Sequence, residues 1–506
     1  MTAAGRAGVA VALCALAVGA LALDRSLVGV FYDDGLYAVL ARSLATGHGY
    51  SYLHLPGAPA AIHFPPLYPL VLTPLFALLP LNAAVLAAKV LNLLLAASAA
   101  GLVAWHAVRT DLLGPGVPRW IAPAVVLAAA LAIPVLTVQS VLFAEPLFAV
   151  LLAVTVVLGD RPPPPPPPPQ LAPVSAAAAA GVAAALTLLT RTIGIAVGLG
   201  VVAYLLGVRR AIPRQALAAG APVLLAGLLW GWWTVTHRQA VDPALAINYG
   251  SYGEVLRQTG LGALGGGLRD LPRPLAAIAL SWLPGRLLYW LAALPALGVA
   301  VYGLATLCRR SCIGFALAGY LAILAVWPFA PDRFLWAVLP WLGLAWAVGA
   351  AALWRFVRLH LPLLVLTGVL VVGFAIYEVM GFARRGYAGQ AADISANFRE
   401  LLPGIEQLPS AAVLATDDET LVWLYAGRTA VPFYLYGYRG AGVVEPTPAD
   451  QRAYLERQGV THILLASPQS PSARELRALI AAYPGWLVPV HGWPGARWLY
   501  AVAHER

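Results

Sequence analysis

Apolar residues in this chain run unbroken for long stretches and do not alternate with polar ones. Eleven runs fit membrane-spanning helices, near 7–24, 82–107, 120–139, 143–159, 173–190, 192–208, 215–236, 286–307, 312–330, 334–354 and 361–380. A bilayer core is crossed by ~20 apolar helical residues. A membrane β-barrel would need alternating strands of ~10 residues, which these Ala-, Leu- and Val-rich runs are not. The polar breaks between runs fix an orientation. Arg6, Arg109, Arg119, Arg161, Arg209, Arg210, Arg214, Arg309, Arg310, Arg355 and Arg358 fall on one side, and Asp111 and Asp160 are the only acids among them. Basic short loops mark the cytoplasmic face, so an N-terminus inside and an odd number of spans put the C-terminus outside.

Three segments on the opposite side are long: 25–81, 237–285 and 381–506. In the second, "GALGGGLRDLPRP" reads as a mobile stretch. In the last, the pattern changes. Strands "AAVLATD", "THILLAS", "WLVPV" and "RWLYAVAH" are separated by helical stretches "ISANFRELLPGIEQL", "PADQRAYLERQG" and "SARELRALIAAY", the rhythm of a small α/β domain. No glycine-rich phosphate loop follows any of these strands, so no nucleotide is expected. The expected architecture is a polytopic α-helical membrane domain over 1–380, with about eleven transmembrane helices, and a small extracytoplasmic α/β domain over 381–506.

Composition agrees with this division. The chain is 60% hydrophobic and 11% charged over 506 residues, against ~25% charged in soluble domains. Its net charge of +10 is spread over the cytoplasmic turns and forms no nucleic-acid patch. Arginine supplies nearly all of it; Lys89 is the only lysine. Cys14, Cys308 and Cys312 are too few for a disulfide framework and read as structural. The N-terminal run ending "ALALD" has the small-residue spacing of a signal peptidase site, but a retained first span fits the alternation better. The run "RPPPPPPPPQ" at 161–170 reads as a stiff polyproline spacer about 25 Å long, at ~3.1 Å per residue.

The chemistry lies where charge meets apolar surroundings. Asp33 and Asp34 open the first outer segment, ahead of a short interfacial helix "GLYAVLARSLATG" stopped at Gly47. The next stretch, "IHFPPLYPLVLTPLFALLP", carries five prolines. It is expected to dip at the surface as one or two broken helices lining a cavity, with His63 and Tyr68 facing it. The short outer turns carry Glu145 in "LFAEPLF", Arg191 in "LLTRTIG", and Asp332 with Arg333 in "FAPDRFLW"; Lys89 sits near the outer end of the second span. Ionisable groups at membrane edges are functional candidates. Each has a structural alternative: an aspartate capping its helix, Glu145–Arg191 and Asp332–Arg333 as clamps, Lys89 snorkelling. Together they mark one outer surface where acids and cations mix.

That mixture suits a sugar carried on a polyprenyl phosphate. A carboxylate base deprotonates an acceptor hydroxyl, and cations hold the departing phosphate. Such a leaving group needs no protonation, so a second, acidic carboxylate is dispensable. One base on the face opposite the phosphate gives inversion in one step. A transporter or flippase of a lipid-linked sugar is the rival reading, though transporters show repeated halves and midplane breaks. A non-catalytic subunit or receptor is a second. The sugar and the acceptor are not legible.

The order of "YDDGLYAVLARSLATG", "HFPPLYPLVLTPLFALLP", "AAKVLNLLLAASAAGLVAW", "FAEPLF", "LLTRTIGIAVGLGVVAYLLG" and "DRFLWAVLP" resembles the glycosyltransferase C superfamily, in particular its protein O-mannosyltransferase and aminoarabinose transferase branch. The resemblance covers roughly residues 1–350. It implies a membrane glycosyltransferase drawing on a polyprenyl-phosphate sugar donor, with the catalytic acidic pair at Asp33 and Asp34 and Asp33 as base. It places a family acid at Glu145 and family basic residues at Arg191 and Lys89. The first segment has "HFPP" where the aminoarabinose enzymes carry Glu-Lys-Pro, which argues against lipid A as acceptor. A divalent metal is left open: His48, His54 and His63 share the segment with the aspartates, at spacings that match no standard ligand motif.

Overall fold

The structure, a computed structural model, describes residues 1–160, 172–260, 263–439 and 442–503. The polyproline run falls outside the described residues. The chain folds into two compact units interleaved in sequence. One comprises Met1–Leu23, Lys89–Trp232 and Leu261–Ala388; the other comprises Asp24–Ala88, Trp233–Gly260 and Gly389–Arg506.

The first unit is helical, and each of the eleven apolar runs forms helix. Six helices among the described residues have the length and apolarity to cross a bilayer: Ala3–Ala22, Leu81–Arg109, Pro213–Thr236, Arg286–Arg310, Asp332–Trp354 and Val357–Ala383. The chain is therefore an integral membrane protein. A seventh span results if the pair Ile121–Ala130 and Ile133–Ser140, bent by 56°, counts as one. The other four runs are shorter helices: Glu145–Gly159, Val174–Thr190, Thr192–Gly207 and Cys312–Ala325. Six or seven of the about eleven expected spans reach full length as single helices or a bent pair. A 14-residue helix rises about 21 Å, short of the ~30 Å core. Its apolarity reflects burial against other helices as much as contact with lipid. Gly200 of Thr192–Gly207, for example, packs so closely on Cys312–Ala325 that a Cβ there would lie 2.5 Å from the Ala316 nitrogen.

The bend has an identifiable cause. Ala132 is extended (φ −58°, ψ 134°) ahead of Ile133 and Pro134. The Ile133 N–H, left without an intrahelical carbonyl, donates to Glu378 Oε2 at 2.9 Å. The glycine-rich stretch 262–274, expected to be mobile, instead forms the helices Ala263–Asp270 and Arg273–Leu280. Gly267 is seated against the Ala325 carbonyl, where any side chain would collide.

On the arginine-rich side, Asp160 ties four elements together. Its carboxylate accepts from His106 Nε2 at 3.0 Å, from the Cys312 N–H at 2.9 Å and from the Ser311 hydroxyl. Its carbonyl accepts from Arg209 Nη2 at 2.9 Å. Hydrogen bonds to a buried charge contribute roughly 1.5–3 kcal/mol each. Asp160→Ala is expected to destabilise the first unit by at least about 2 kcal/mol, read as a lowered melting temperature in detergent.

The second unit joins the first outer segment to the tail. Its sheet runs in the order β2–β1–β5–β7–β6, with β1 Val413–Thr416, β2 Thr429–Pro432, β3 Gly437–Arg439, β4 Gly442–Val444, β5 His462–Leu465, β6 Leu487–Trp493 and β7 Arg497–Val502. β1 pairs in parallel with β2 and β5, while β7 is antiparallel to β5 and β6; β3 and β4 form a separate hairpin. The core beneath this sheet contains Leu414, Leu464 and Leu499, Phe398 and Leu401 of the helix Gly389–Glu406, and Leu27 and Val30 of the first segment. The Leu27 N–H donates to Ser395 Oγ at 2.8 Å, and the Ala430 N–H to the His54 carbonyl at 2.8 Å. The tail's core is thus completed by residues nearly 400 positions upstream.

Candidate functional site

The helix Asp33–Ala45 begins in a strained turn. Tyr32 has φ 65° and ψ −72°, and the Asp33 N–H donates to the Phe31 carbonyl at 2.8 Å. This is a γ-turn of the rare kind, costing about 1–3 kcal/mol for a bulky residue. Asp34 holds it. Its buried carboxylate accepts from the amides of Gly29 (2.8 Å), Phe31 (2.9 Å) and Val30 (3.3 Å). Burial pushes its carboxyl up, and these amides pull it back down. Asp34 therefore organises the loop before the helix, while Asp33, beside it, is half-exposed. Glycines allow the helix start to sit against the helix Glu419–Ala426: a Cβ on Gly35 would lie 2.0 Å from Thr420 Oγ1, and one on Gly29 2.8 Å from Leu421.

Behind this turn lies a buried polar chain that the sequence did not reveal. Tyr249 donates its hydroxyl proton to Glu419 Oε1, so His54 Nε2, 2.8 Å from the same oxygen, carries the proton of that contact. Burial pushes His54 down to about 3, and its ring is neutral. Tyr52 and Tyr32 stand edge-on to Tyr249 at 4.9 and 5.8 Å. Burial pushes the Glu419 carboxyl up to about 8, against the pull of the Tyr249 hydroxyl. Asp418 is also pushed up to about 8, by burial and then by Asp417 and Asp34. These acids hold protons more tightly folded than at the ~4 of an unfolded chain. Their contribution to stability is complete below that value and is lost as pH rises through about 8. The protein is expected to melt at a lower temperature at pH 9 than at pH 6. Glu419→Gln, which keeps an acceptor for Tyr249, should flatten that slope in a thermal scan.

His63 and Tyr68 are both buried among aromatic neighbours. His63 is buried, with Nδ1 2.7 Å from the Gly250 carbonyl and its ring against Tyr252. Tyr68, in the single helix Leu67–Leu78, is buried edge-on to Tyr37 at 4.9 Å. Among the described residues no group of three or more His, Cys, Asp or Glu is arranged to hold a metal ion; His48 bonds Thr46, and His54 and His63 have the partners given above.

In the first unit, Glu145, Arg191 and Arg333 come together. Glu145 starts the helix Glu145–Gly159, where the helix dipole favours an acid. Arg191 occupies an extended break (φ −149°, ψ 133°) between two helices, and Arg333 lies in the first turn of Asp332–Trp354. Both guanidinium groups meet Glu145 Oε1, Arg191 through Nη1 and Arg333 through Nε at 2.9 Å. Glu145 is 2% exposed, and its Oε2 has no hydrogen-bond partner among the described residues. Phe334 lies under Arg191 at 4.3 Å and Phe143 under Arg333 at 4.5 Å. Asn92 fixes the approach to Glu145 by donating to the Val141 and Phe143 carbonyls at 2.8 and 3.0 Å. Lys89, one turn before Asn92 on Leu81–Arg109, is buried at 2% exposure. Asp332 is exposed and does not join the Glu145 ion pairs: the expected Glu145–Arg191 pair is present, and Arg333 pairs with Glu145. A narrow apolar crevice lined by Ala96, Val103, Val135, Trp336 and Trp341 reaches Glu145.

This architecture is a membrane fold of the glycosyltransferase C type. It is similar to the apo crystal structure of the aminoarabinose transferase ArnT from Cupriavidus metallidurans, with a TM-score of 0.54 and 19% identity over 97% of each chain. The archaeal oligosaccharyltransferase AglB from Archaeoglobus fulgidus, solved with an inhibitory peptide and a dolichol-phosphate, aligns with a TM-score of 0.49 and 11% identity, over 98% of this chain and 74% of that one. No protein-family model matches the chain, and no curated protein does so by sequence.

Proposed function

We propose that this chain is a membrane glycosyltransferase that moves a sugar from a polyprenyl-phosphate donor to an acceptor hydroxyl on the extracytoplasmic side, with inversion. The observation that carries the reading is the convergence of Arg191 and Arg333 on one buried glutamate that lines a narrow apolar crevice. Guanidinium forks are donor sets matched to phosphate oxygens. Held by Glu145 and by aromatic faces, they need no reorganisation as the phosphate departs. Lys89 is the third cation assigned to the donor phosphate. Asp33 acts as the base, receiving the acceptor's proton as the new bond to the anomeric carbon forms and the phosphate leaves with the old bonding pair.

The bent helix pair Ile121–Ala130 and Ile133–Ser140 is a feature that a lipid-linked sugar transporter would share. Mass spectrometry of glycans and glycolipids from cells with and without the chain separates the two. A transferase leaves one glycosidic linkage missing and its lipid-linked donor accumulating; an unchanged profile would refute the transferase reading.

A further inference from the structure

The second unit contains a cleft of about 530 Å³ that none of the roles above uses. Its volume falls in the range of small-molecule sites, ~300–1,000 Å³. One wall is 435–439, in the stretch "FYLYGYR", where burial alternates: Phe433 and Leu435 are buried, while Tyr434, Tyr436 and Tyr438 are half-exposed. Tyr434 and Tyr436 are stacked, with ring centroids 5.7 Å apart and planes 27° apart; Tyr438 meets Tyr436 edge-on at 6.0 Å.

The rim is polar and held in place. Glu445 accepts from the Tyr434 hydroxyl at 3.0 Å and pairs with Arg474. Gln258 Oε1 accepts from the Tyr438 N–H at 3.3 Å, Asp450 caps its own helix through Thr447, and Arg457 lies 3.4 Å from Asp242. Acids and bases are mixed, so no net charge is selected, and the Tyr436 and Tyr438 rings stand among small aliphatic side chains such as Ile247 and Val444. A neutral polyol with an apolar C–H face matches both surfaces: the face lies on the electron-rich ring, and its hydroxyls meet carboxylate, amide and guanidinium groups. Asp33 is close enough to act electrostatically on the Tyr436 hydroxyl. Burial pushes the Tyr436 hydroxyl up, Tyr438 and Tyr434 add to this, and the Asp33 carboxylate adds further.

We propose that this cleft is the acceptor site and that the acceptor is a neutral carbohydrate chain, with sugar rings stacked on Tyr436 and Tyr438 and one hydroxyl presented to Asp33. The inference rests on the transferase reading and supplies its second substrate. In the reaction the acceptor O–H proton goes to Asp33, the acceptor oxygen bonds the anomeric carbon, and the donor C–O bond breaks with its electron pair going to the polyprenyl phosphate.

The test is binding of the full-length, detergent-purified protein to an array of neutral hexose and pentose oligosaccharides, with peptides and anionic glycans alongside. Retention on neutral oligosaccharides is expected, with a loss of about tenfold or more in Tyr436→Ala, as for removal of an aromatic anchor. Tyr436→Phe, which keeps the ring, should retain most of the binding, and Tyr438→Ala gives a second reading should Tyr436→Ala not fold. Preference for peptides, absence of oligosaccharide binding, or binding indifferent to both alanine variants would overturn the proposal. Polyprenyl phosphate binding, measured on the same samples, should be unchanged in Tyr436→Ala. Its absence from the unaltered protein would instead count against the donor reading.

Discussion

Asp33→Asn is expected to abolish sugar transfer while leaving the protein folded. A positioned general base contributes roughly 10²–10⁴-fold, and the amide cannot accept the acceptor's proton. Folding should survive because the loop is held by the neighbour. Asp34 makes the three amide contacts that fix the γ-turn at Tyr32, whereas Asp33 is half-exposed beside it. Asp34→Asn should show the opposite profile. An amide must turn an N–H₂ toward backbone donors, the turn loses its support, and the melting temperature falls. Turnover and thermal scans of both variants check the division of labour; an active Asp33→Asn enzyme would remove Asp33 from the chemistry.

The second large effect belongs to the arginines. Arg191→Met and Arg333→Met are each expected to weaken donor binding by roughly 10- to 100-fold, the equivalent of one charge-assisted contact at about 1.5–3 kcal/mol. Removing either also leaves buried Glu145 less compensated, which costs stability. The lysine variants separate the two effects: Lys keeps the charge beside Glu145 but loses the fork. Arg191→Lys should therefore restore much of the melting temperature and little of the donor affinity. Full recovery of both would make the cluster a clamp and nothing more.

Much of this was legible in the sequence, because apolar run length and arginine placement report helices directly. All eleven runs are helical, and four of the tail's strands lie where alternation placed them. Run length overstated one helix, since the run 312–330 yields Cys312–Ala325. Strand β2 went unread, and so did the role of Asp417, which accepts from the Tyr434 amide and Ser472. At the site, local spacing found Glu145, Arg191 and Arg333, each at a helix break. It could not find His54, Tyr249 and Glu419, because their contacts join segments nearly 200 residues apart. Nor could it show that His63 and Tyr68 spend their polar atoms or faces on packing. Such pairings depend on tertiary structure, which no local pattern encodes.

The central claim is that the cluster around Glu145 holds a lipid phosphate. Native mass spectrometry of the purified full-length protein with a polyprenyl phosphate, against the matching polyprenol, tests it most directly. The account predicts one retained phospholipid that the alcohol does not displace, and its loss in the Arg191→Met, Arg333→Met double variant. Equal retention of the alcohol, or binding untouched by removing both arginines, would contradict it.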